Sequence, residues 1–343
     1  MKQRRIIGAI SPDFQRDGET AAAYITRKEK QIVDFVSAYV RRAGMDGLVL
    51  GVSGGVDSFL AGALCARAME KTGKELYLVL LPNGEQEDFA DARDCAARIR
   101  EIYPQTRAET ISIRGGYDGA RSDLLGARGF TDDVVARGNL QPRLRMMYQY
   151  ALANKLLVVG TDHAAEAAVG FYTKYGDGGT DINPLQELVK DDIYSMAERF
   201  GAPKAVLTKK PAAGLGISAD DEAELNMKYS DICAYLKGNK IDAEARQKLE
   251  QAYAGSMHKR RPPASLRDEY AAQQRETVIV VDLIHAFLQG GALACQKAGE
   301  AVRNTVRYIN EHPNAHVLYA RDRHPESHCS FVASGGAWPA HAV

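Results

Sequence analysis

Leu48-Val49-Leu50-Gly51-Val52-Ser53-Gly54-Gly55-Val56-Asp57-Ser58 decides the fold. The apolar run at its start reads as a buried strand, and the spacing from Phe59 to Met69 reads as a helix. Between them lies a tight glycine turn at a helix start. Two glycines let the backbone approach a bulky anion, and successive amide N–H groups with the helix N-terminus supply partners for it. Ser53 and Ser58 add hydroxyl donors. Asp57 adds a carboxylate that a metal ion would reconcile with phosphate. A bare Gly-Gly pair is more simply a turn with Ser58 as a cap, but the whole string in its strand–helix setting favours the anion loop. Gly-Lys-Ser/Thr does not follow, so this is not a Walker loop, and Gly-x-Gly-x-x-Gly is absent, so it is not the dinucleotide fingerprint.

Outward from that loop, strands and helices alternate. Residues 25–42 have helical spacing. Leu76 to Leu81 is a second strand, Asp88 to Glu101 a helix and Ala108 to Ile113 a third strand. Gly115 to Gly138 is glycine-rich, charged and open to either assignment. Arg143 to Ala153 is helical, and Leu156 to Val159 is a fourth strand. The expected fold class is α/β, a doubly wound parallel sheet. Such sheets bind ligands at the carboxyl ends of their strands. Both the loop at Ser53 and the tripeptide Thr161-Asp162-His163 fall there.

With 343 residues the chain is long enough for two domains. Lys plus Arg equals Asp plus Glu at 44 each, which gives no bulk charge for nucleic acid or an acidic membrane. The five cysteines are scattered, a pattern expected of a reducing compartment. The basic N-terminus lacks a sustained apolar stretch, so neither a signal peptide nor a membrane span is expected and the cytoplasm is the expected location. A polar stretch after Pro262-Pro263 gives way to the apolar run Val278 to Val281. Two domains are therefore expected, residues 1–275 and 276–343.

From Thr161 to Pro184 the chain reads TDHAAEAAVGFYTKYGDGGTDINP. Glu166 follows a strand on a short helix and suits Mg²⁺ together with Asp57, or is a solvated helix glutamate. Lys174 and Lys190 flank a glycine turn and suit phosphates, or are surface lysines. Asp181 reads as a turn residue. His163 reads as a cap, a ligand contact or a structural histidine.

The loop at Ser53 resembles the pyrophosphate loop of the ATP pyrophosphatases, and the Thr161–Pro184 string resembles the signature of ammonia-dependent NAD synthetases. Further pieces recur in family order: Leu81-Pro82-x-Gly84-x-Gln86, Arg137-Gly138-Asn139, Arg143-x-Arg145-Met146 and His258-Lys259-Arg260-Arg261-Pro262-Pro263. The resemblance spans residues 25–270 and implies the adenine-nucleotide α-hydrolase type of sheet. It implies that Gly51, Val52, Ser53, Gly54, Gly55, Val56, Asp57 and Ser58, with Gln86, Thr161 and Lys190, bind ATP. It further implies Mg²⁺ on Asp57 and Glu166, a catalytic part for Asp57 and Lys190, and a homodimer. Arg143, Lys174, Asp181, His258 and Lys259 would bind the substrate, nicotinic acid adenine dinucleotide. Free ammonia would be the nitrogen donor. One departure is Ala212 after Pro211, where the family carries an ATP-contacting threonine. Losing that hydroxyl would cost about 1 kcal/mol of ATP binding.

Residues 277–343 resemble a different family. The strings VVDLIHAFLQGGALA, ARDRHPESHCSF and GGAWPAHAV are similar to the N-terminal part of nicotinamidases, of the isochorismatase-like hydrolases. On spacing alone, Asp322, His324 and His341, with His328, are either polar loop residues or ligands for Zn²⁺, Mn²⁺ or Fe²⁺. The resemblance implies a catalytic role for Asp282 and a metal at the other positions. Cys295 and Cys329 do not stand where the family has its nucleophile, so an inactive, partial βαβ fragment is expected. Two other classes stay open for the whole chain: an ATP pyrophosphatase amidating a different acid, and a non-catalytic binding protein.

Overall fold

Four short strands, β1 (Gly47–Gly51), β2 (Glu75–Leu80), β3 (Arg107–Thr110) and β4 (Leu156–Val159), form a sheet in the order β3-β2-β1-β4, every pair parallel. The computed structural model describes residues 2–86, 88–209, 221–266, 277–283, 285–312, 315–321, 327, 329, 331–335 and 339. The chain divides into two units, Met1–Pro262 and Pro263–Val343, parting ahead of residue 275.

In the first unit β1, β2 and β4 are apolar on both faces, as strands covered on both sides must be, while the edge strand β3 is exposed along its length. Leu48, Leu50, Leu76, Leu78, Leu157 and Val159 point to one core, while Val49, Tyr77, Val79, Leu156 and Val158 point to the other. The helices are α1 (Lys2–Ile10), α2 (Ala21–Arg42), α3 (Val56–Thr72), α4 (Phe89–Ile102), α5 (Arg114–Leu124), α6 (Val134–Leu152), α7 (Ala164–Val169), α8 (Lys190–Arg199), α9 (Lys204–Thr208), α10 (Asp221–Leu225), α11 (Tyr229–Leu236) and α12 (Ala243–Gly255). Helices α2, α3, α4 and α8 cover the first face; α5 and α6 supply Tyr117 and Leu144 to the second. Helices α1, α7, α11 and α12 share a third apolar cluster.

Strand order fixes the site. The chain steps from β1 outward through β2 to β3, then returns to place β4 on the other side of β1. The crevice of a doubly wound sheet opens where that order reverses, between the carboxyl ends of β1 and β4.

The expected elements appear with ends shifted by a few residues. The stretch left open, Gly115 to Gly138, folds as α5 and the start of α6, where the Asp133 side chain accepts from the Ala136 amide at 2.8 Å as an N-cap. Helix α6 runs through Pro142 rather than starting after it, the usual place for a helix boundary. Among the described residues, no helix is long and apolar enough to cross a membrane.

In the second unit β5 (Thr277–Val281) pairs in parallel with β6 (His316–Ala320), and α13 (Ala298–Glu311) lies between them in sequence. Asp282 follows β5 directly, and its amide donates to Ala320 O at 2.8 Å.

Gly47 stands opposite Glu75, and a Cβ there would lie 2.1 Å from the Glu75 carbonyl oxygen. We expect Gly47→Ala to cost about 1–3 kcal/mol by forcing β1 and β2 apart. Thermal unfolding followed by circular dichroism measures this, and an unchanged melting temperature would contradict it.

Candidate active site

A cavity of about 280 Å³ opens at the carboxyl ends of β1, β2 and β4. The loop after β1 is held in shape by its own hydroxyls. Ser53 Oγ donates to Ser58 Oγ (3.1 Å), Ser58 Oγ donates to Gly55 O (3.0 Å), and the Gly55 amide donates back to Ser53 Oγ (3.3 Å). This closed ring orders the turn without a ligand. Gly54 has φ +84°, and a Cβ there would meet Ala92 N at 2.8 Å and Asp88 O at 2.9 Å. Glycine is required for both its left-handed conformation and its close approach to α4.

Several loop amides are engaged within the protein. Gly51 donates to Gln149 Oε1 (2.9 Å), Val52 to Val79 O (3.0 Å) and Ser53 to Ser58 Oγ (3.2 Å). The anion-binding capacity therefore moves from the strand end to the first turn of α3, where helical geometry leaves Val56, Asp57 and Ser58 amides without carbonyls to pair with.

Asp57 is the second residue of α3 and Lys190 the first of α8; Lys190 Nζ donates to both carboxylate oxygens, at 2.8 and 3.0 Å. Burial alone would raise the Asp57 pKa, but the Lys190 ammonium holds it below the ordinary carboxylate value. Burial alone would lower the Lys190 pKa, but Asp57 and then Glu166 hold it above its ordinary value. Both groups are thus charged at neutral pH.

Around this pair stand carboxyl groups that resist ionisation. Glu166, in the first turn of α7, accepts from the His163 amide at 3.1 Å, and burial followed by the Asp57 charge pushes it well up. Burial, then Asp177 and Asp57, do the same to Asp162. His163 is fully buried with its Nε2 at 3.5 Å from Glu166 Oε2. Burial and the Lys190 charge push its pKa down to about 3, so the imidazole is neutral. Six acidic residues line the cavity (Asp57, Asp88, Asp162, Glu166, Asp177 and Asp221), against Arg145, Lys190 and Lys209. A divalent cation here would let Asp162 and Glu166 ionise, and Asp57 and Glu166 are the carboxylates that could hold it.

Of the residues singled out from sequence, Gly51, Val52, Ser53, Gly55, Val56, Asp57, Ser58, Gln86, Thr161, Glu166 and Lys190 line this cavity, with Gly54 turned toward α4. Arg143, Lys174, Asp181, His258 and Lys259 do not. Arg143 is exposed on α6, with Nε donating to Lys174 O at 3.3 Å, and Lys174 Nζ lies 5.1 Å over the Tyr175 ring. The Asp181 carboxylate accepts from the Val158 amide (2.8 Å) and the Tyr150 hydroxyl (3.1 Å), bracing β4. His258 is exposed, and Lys259 Nζ donates to Gly170 O (2.8 Å) and Tyr172 O (2.6 Å). Asp282 belongs to the second unit. Asp322, His324, His328 and His341, like Pro211 and Ala212, lie outside the described residues.

Sequence reasoning assigned no role to Arg145, Asp162, Asp177 and Lys209, which also line the cavity. Arg145 Nε donates to Leu81 O (3.1 Å) and Nη2 to Gln86 Oε1 (3.4 Å), fixing the Gln86 side chain. Lys209 Nζ pairs with Asp91 at 3.1 Å. Asp162 follows a strand end and Asp177 sits in a glycine turn, both legible signals. Lys209, in a Lys-Lys pair, carried none.

The sequence profile of the NAD synthase family matches residues 29–263. The chain belongs to this family. It is 43% identical over 248 residues to the NH(3)-dependent NAD(+) synthetase of Leifsonia xyli subsp. xyli, covering 69% of this chain and 88% of the relative. It is 41% identical over 251 residues to the Nocardia farcinica enzyme of the same name, covering 69% of this chain and 89% of that one. Among solved structures, NMN synthetase from Francisella tularensis aligns with TM-score 0.63 and 32% identity, over 70% of this chain and 98% of that one. NAD+ synthetase from Burkholderia pseudomallei aligns with TM-score 0.62 and 31% identity, over 76% and 96%. The profile match ends where the first unit of this NAD synthase family member ends.

We expect Gly54→Ala to weaken pyrophosphate binding by at least about tenfold, because the strained φ and the clash with α4 displace the loop. Isothermal titration with pyrophosphate measures this, and unaltered affinity in a folded variant would contradict it.

Proposed function

We propose that the first unit makes NAD by amidating nicotinic acid adenine dinucleotide with ammonia at the expense of ATP. The observation that carries this is the shared cavity of the serine-ringed loop, the Asp57–Lys190 pair and Glu166, in a chain 43% identical to an NH(3)-dependent NAD(+) synthetase. The dinucleotide's nicotinate carboxylate attacks the α-phosphorus of ATP, and pyrophosphate leaves with the electrons of the broken P–O bond. Ammonia then attacks the acyl-adenylate carbonyl, AMP leaves, and the nitrogen gives up a proton to become the amide. No protein nucleophile is needed.

The protein's part is placement and charge. The first-turn amides of α3 receive phosphate oxygens. Lys190, held charged by its surroundings, stands ready to exchange Asp57 for a phosphate. Gln86, fixed by Arg145, borders the nucleotide end of the cavity. Asp57 and Glu166 would hold Mg²⁺, which supplies charge neutralisation at the departing pyrophosphate. Arg143, Lys174, Asp181, His258 and Lys259 are proposed to contact the dinucleotide from outside this cavity.

A homodimer is part of the proposal. Leu125 in the turn after α5 and Val135, Met147 and Tyr150 on α6 are exposed, and this apolar surface, on and beside the helix that carries Arg143, suits a second copy. A cytoplasmic location accords with five unpaired cysteines. For the second unit we propose a nicotinamidase-like fragment: β5, α13 and β6 form the expected βαβ start, with Asp282 at the carboxyl end of β5. A transition metal on Asp322, His324, His328 and His341 belongs to the same proposal. Nicotinate release from nicotinamide by the 343-residue chain would overturn the expectation that this fragment is inactive.

The deciding assay supplies purified chain with ATP, Mg²⁺, ammonium and the acid dinucleotide, and follows AMP and NAD. We expect AMP formation to require both dinucleotide and ammonium, and Asp57→Asn or Lys190→Ala to lower kcat by about 10²–10³-fold. The likeness to an NMN synthetase favours one alternative substrate, the acid mononucleotide; faster turnover of it would replace the dinucleotide as substrate.

A further inference from the structure

Helix α7 has six residues, too few to hold itself together in water. It nevertheless carries Glu166, and the surroundings fix both of its ends. At the start, the Ala164 amide donates to Leu188 O at 2.9 Å. At the end, the amides of Gly170 (2.7 Å) and Phe171 (3.0 Å) both donate to Glu166 O. The remaining terminal carbonyls have no partner within the helix, and the segment after α12 reaches the first of them, Ala167 O, and the turn that follows. Arg260 Nη1 donates to Ala167 O at 3.0 Å, beside Lys259 on Gly170 O and Tyr172 O.

Arg260 is itself held in place. Nη1 also donates to Ser256 Oγ at 2.8 Å, Nη2 donates to Tyr253 O, and the guanidinium lies 4.1 Å from the Tyr253 ring centroid. Gly170 has φ +70°, and a Cβ there would lie 2.1 Å from Ser256 Cβ, so the end of α12 rests directly on the helix terminus. Cations at a helix C-terminus also meet the negative end of its dipole.

We propose that Arg260 is a positioning residue for Glu166. By closing the C-terminal end of α7 it fixes where the carboxylate enters the cavity, and so sets the affinity for the divalent cation. This rests on the reading of Asp57 and Glu166 as cation ligands. A planar guanidinium serves Ala167, Ser256 and Tyr253 at once; a lysine ammonium lacks that fork.

The test is Arg260→Lys in the full chain, with circular dichroism to confirm folding. Two quantities are read: the Mg²⁺ concentration giving half-maximal AMP formation at saturating substrates, and Mn²⁺ affinity by electron paramagnetic resonance with a non-hydrolysable ATP analogue. We expect both to weaken by about tenfold, as for other residues that orient metal ligands, with the dinucleotide KM moving less than about twofold. Unchanged metal dependence, or a change confined to the dinucleotide KM, would overturn the proposal. Should Arg260→Lys not fold, Ser256→Ala removes one of the arginine's anchors, and the same readings decide. Glu166→Gln separates the two levels: unchanged Mn²⁺ affinity there removes the cation reading and the Arg260 role together. Weakened Mn²⁺ affinity there, with Arg260→Lys and Ser256→Ala unaffected, removes the Arg260 role alone.

Discussion

One ion pair, the buried Lys190 with the half-buried Asp57, joins the two halves of the site. The residues lie on different helices, and each alone would be a costly charge in a poorly solvated crevice. Such a pair adds little to stability compared with apolar residues of the same volume. Its value lies in what each member can do next. Both stay charged, and both can change partners without moving a proton. On the proposed function, Asp57 turns to a cation and Lys190 to a phosphate, so total charge stays balanced as a polyanion enters a cavity rich in carboxylates.

The crevice exists because of strand order, and the loop is rigid because of local hydroxyl chemistry. These are independent causes. Reversal of the sheet between β1 and β4 places the Ser53 loop beside Thr161-Asp162-His163. The Ser53–Ser58–Gly55 ring then settles the turn before any ligand arrives, which lowers the ordering cost on binding. Gly54 is the point where the two meet, since its close contact with Asp88 and Ala92 ties the turn to α4.

Much of this was legible in the sequence because strong local rules agree with the global fold. Continuous apolar runs at Leu48, Leu76 and Leu156 read as covered strands, and the Gly54-Gly55 pair marks the tight turn in which Gly54 is left-handed. Legibility failed where the deciding contact is distant. Pro142 breaks a helix by local rules, yet α6 passes through it, and α5 lies in a stretch whose glycines and charges left it open to either assignment. Gln149 takes the Gly51 amide from 98 residues away, so no local pattern could show that this amide was unavailable to an anion. The segment at His258 stood out in the sequence only through its resemblance, and the carbonyls of Ala167, Gly170 and Tyr172 that Arg260 and Lys259 serve lie 87 to 93 positions earlier.

The two units differ in how far their strands are covered. In the first, helices close both faces of a parallel sheet, and Leu48, Val49 and Leu50 are wholly shielded. In the second, the same kind of apolar strand leaves Ile279 and Val281 61% exposed and Tyr319 74% exposed among the described residues. Parallel strands are ordinarily buried on both sides, because their backbone pairing alone contributes too little to hold two of them together. The sequence of β5 and β6 is therefore that of interior strands, with side chains suited to a deeper layer than the described residues supply.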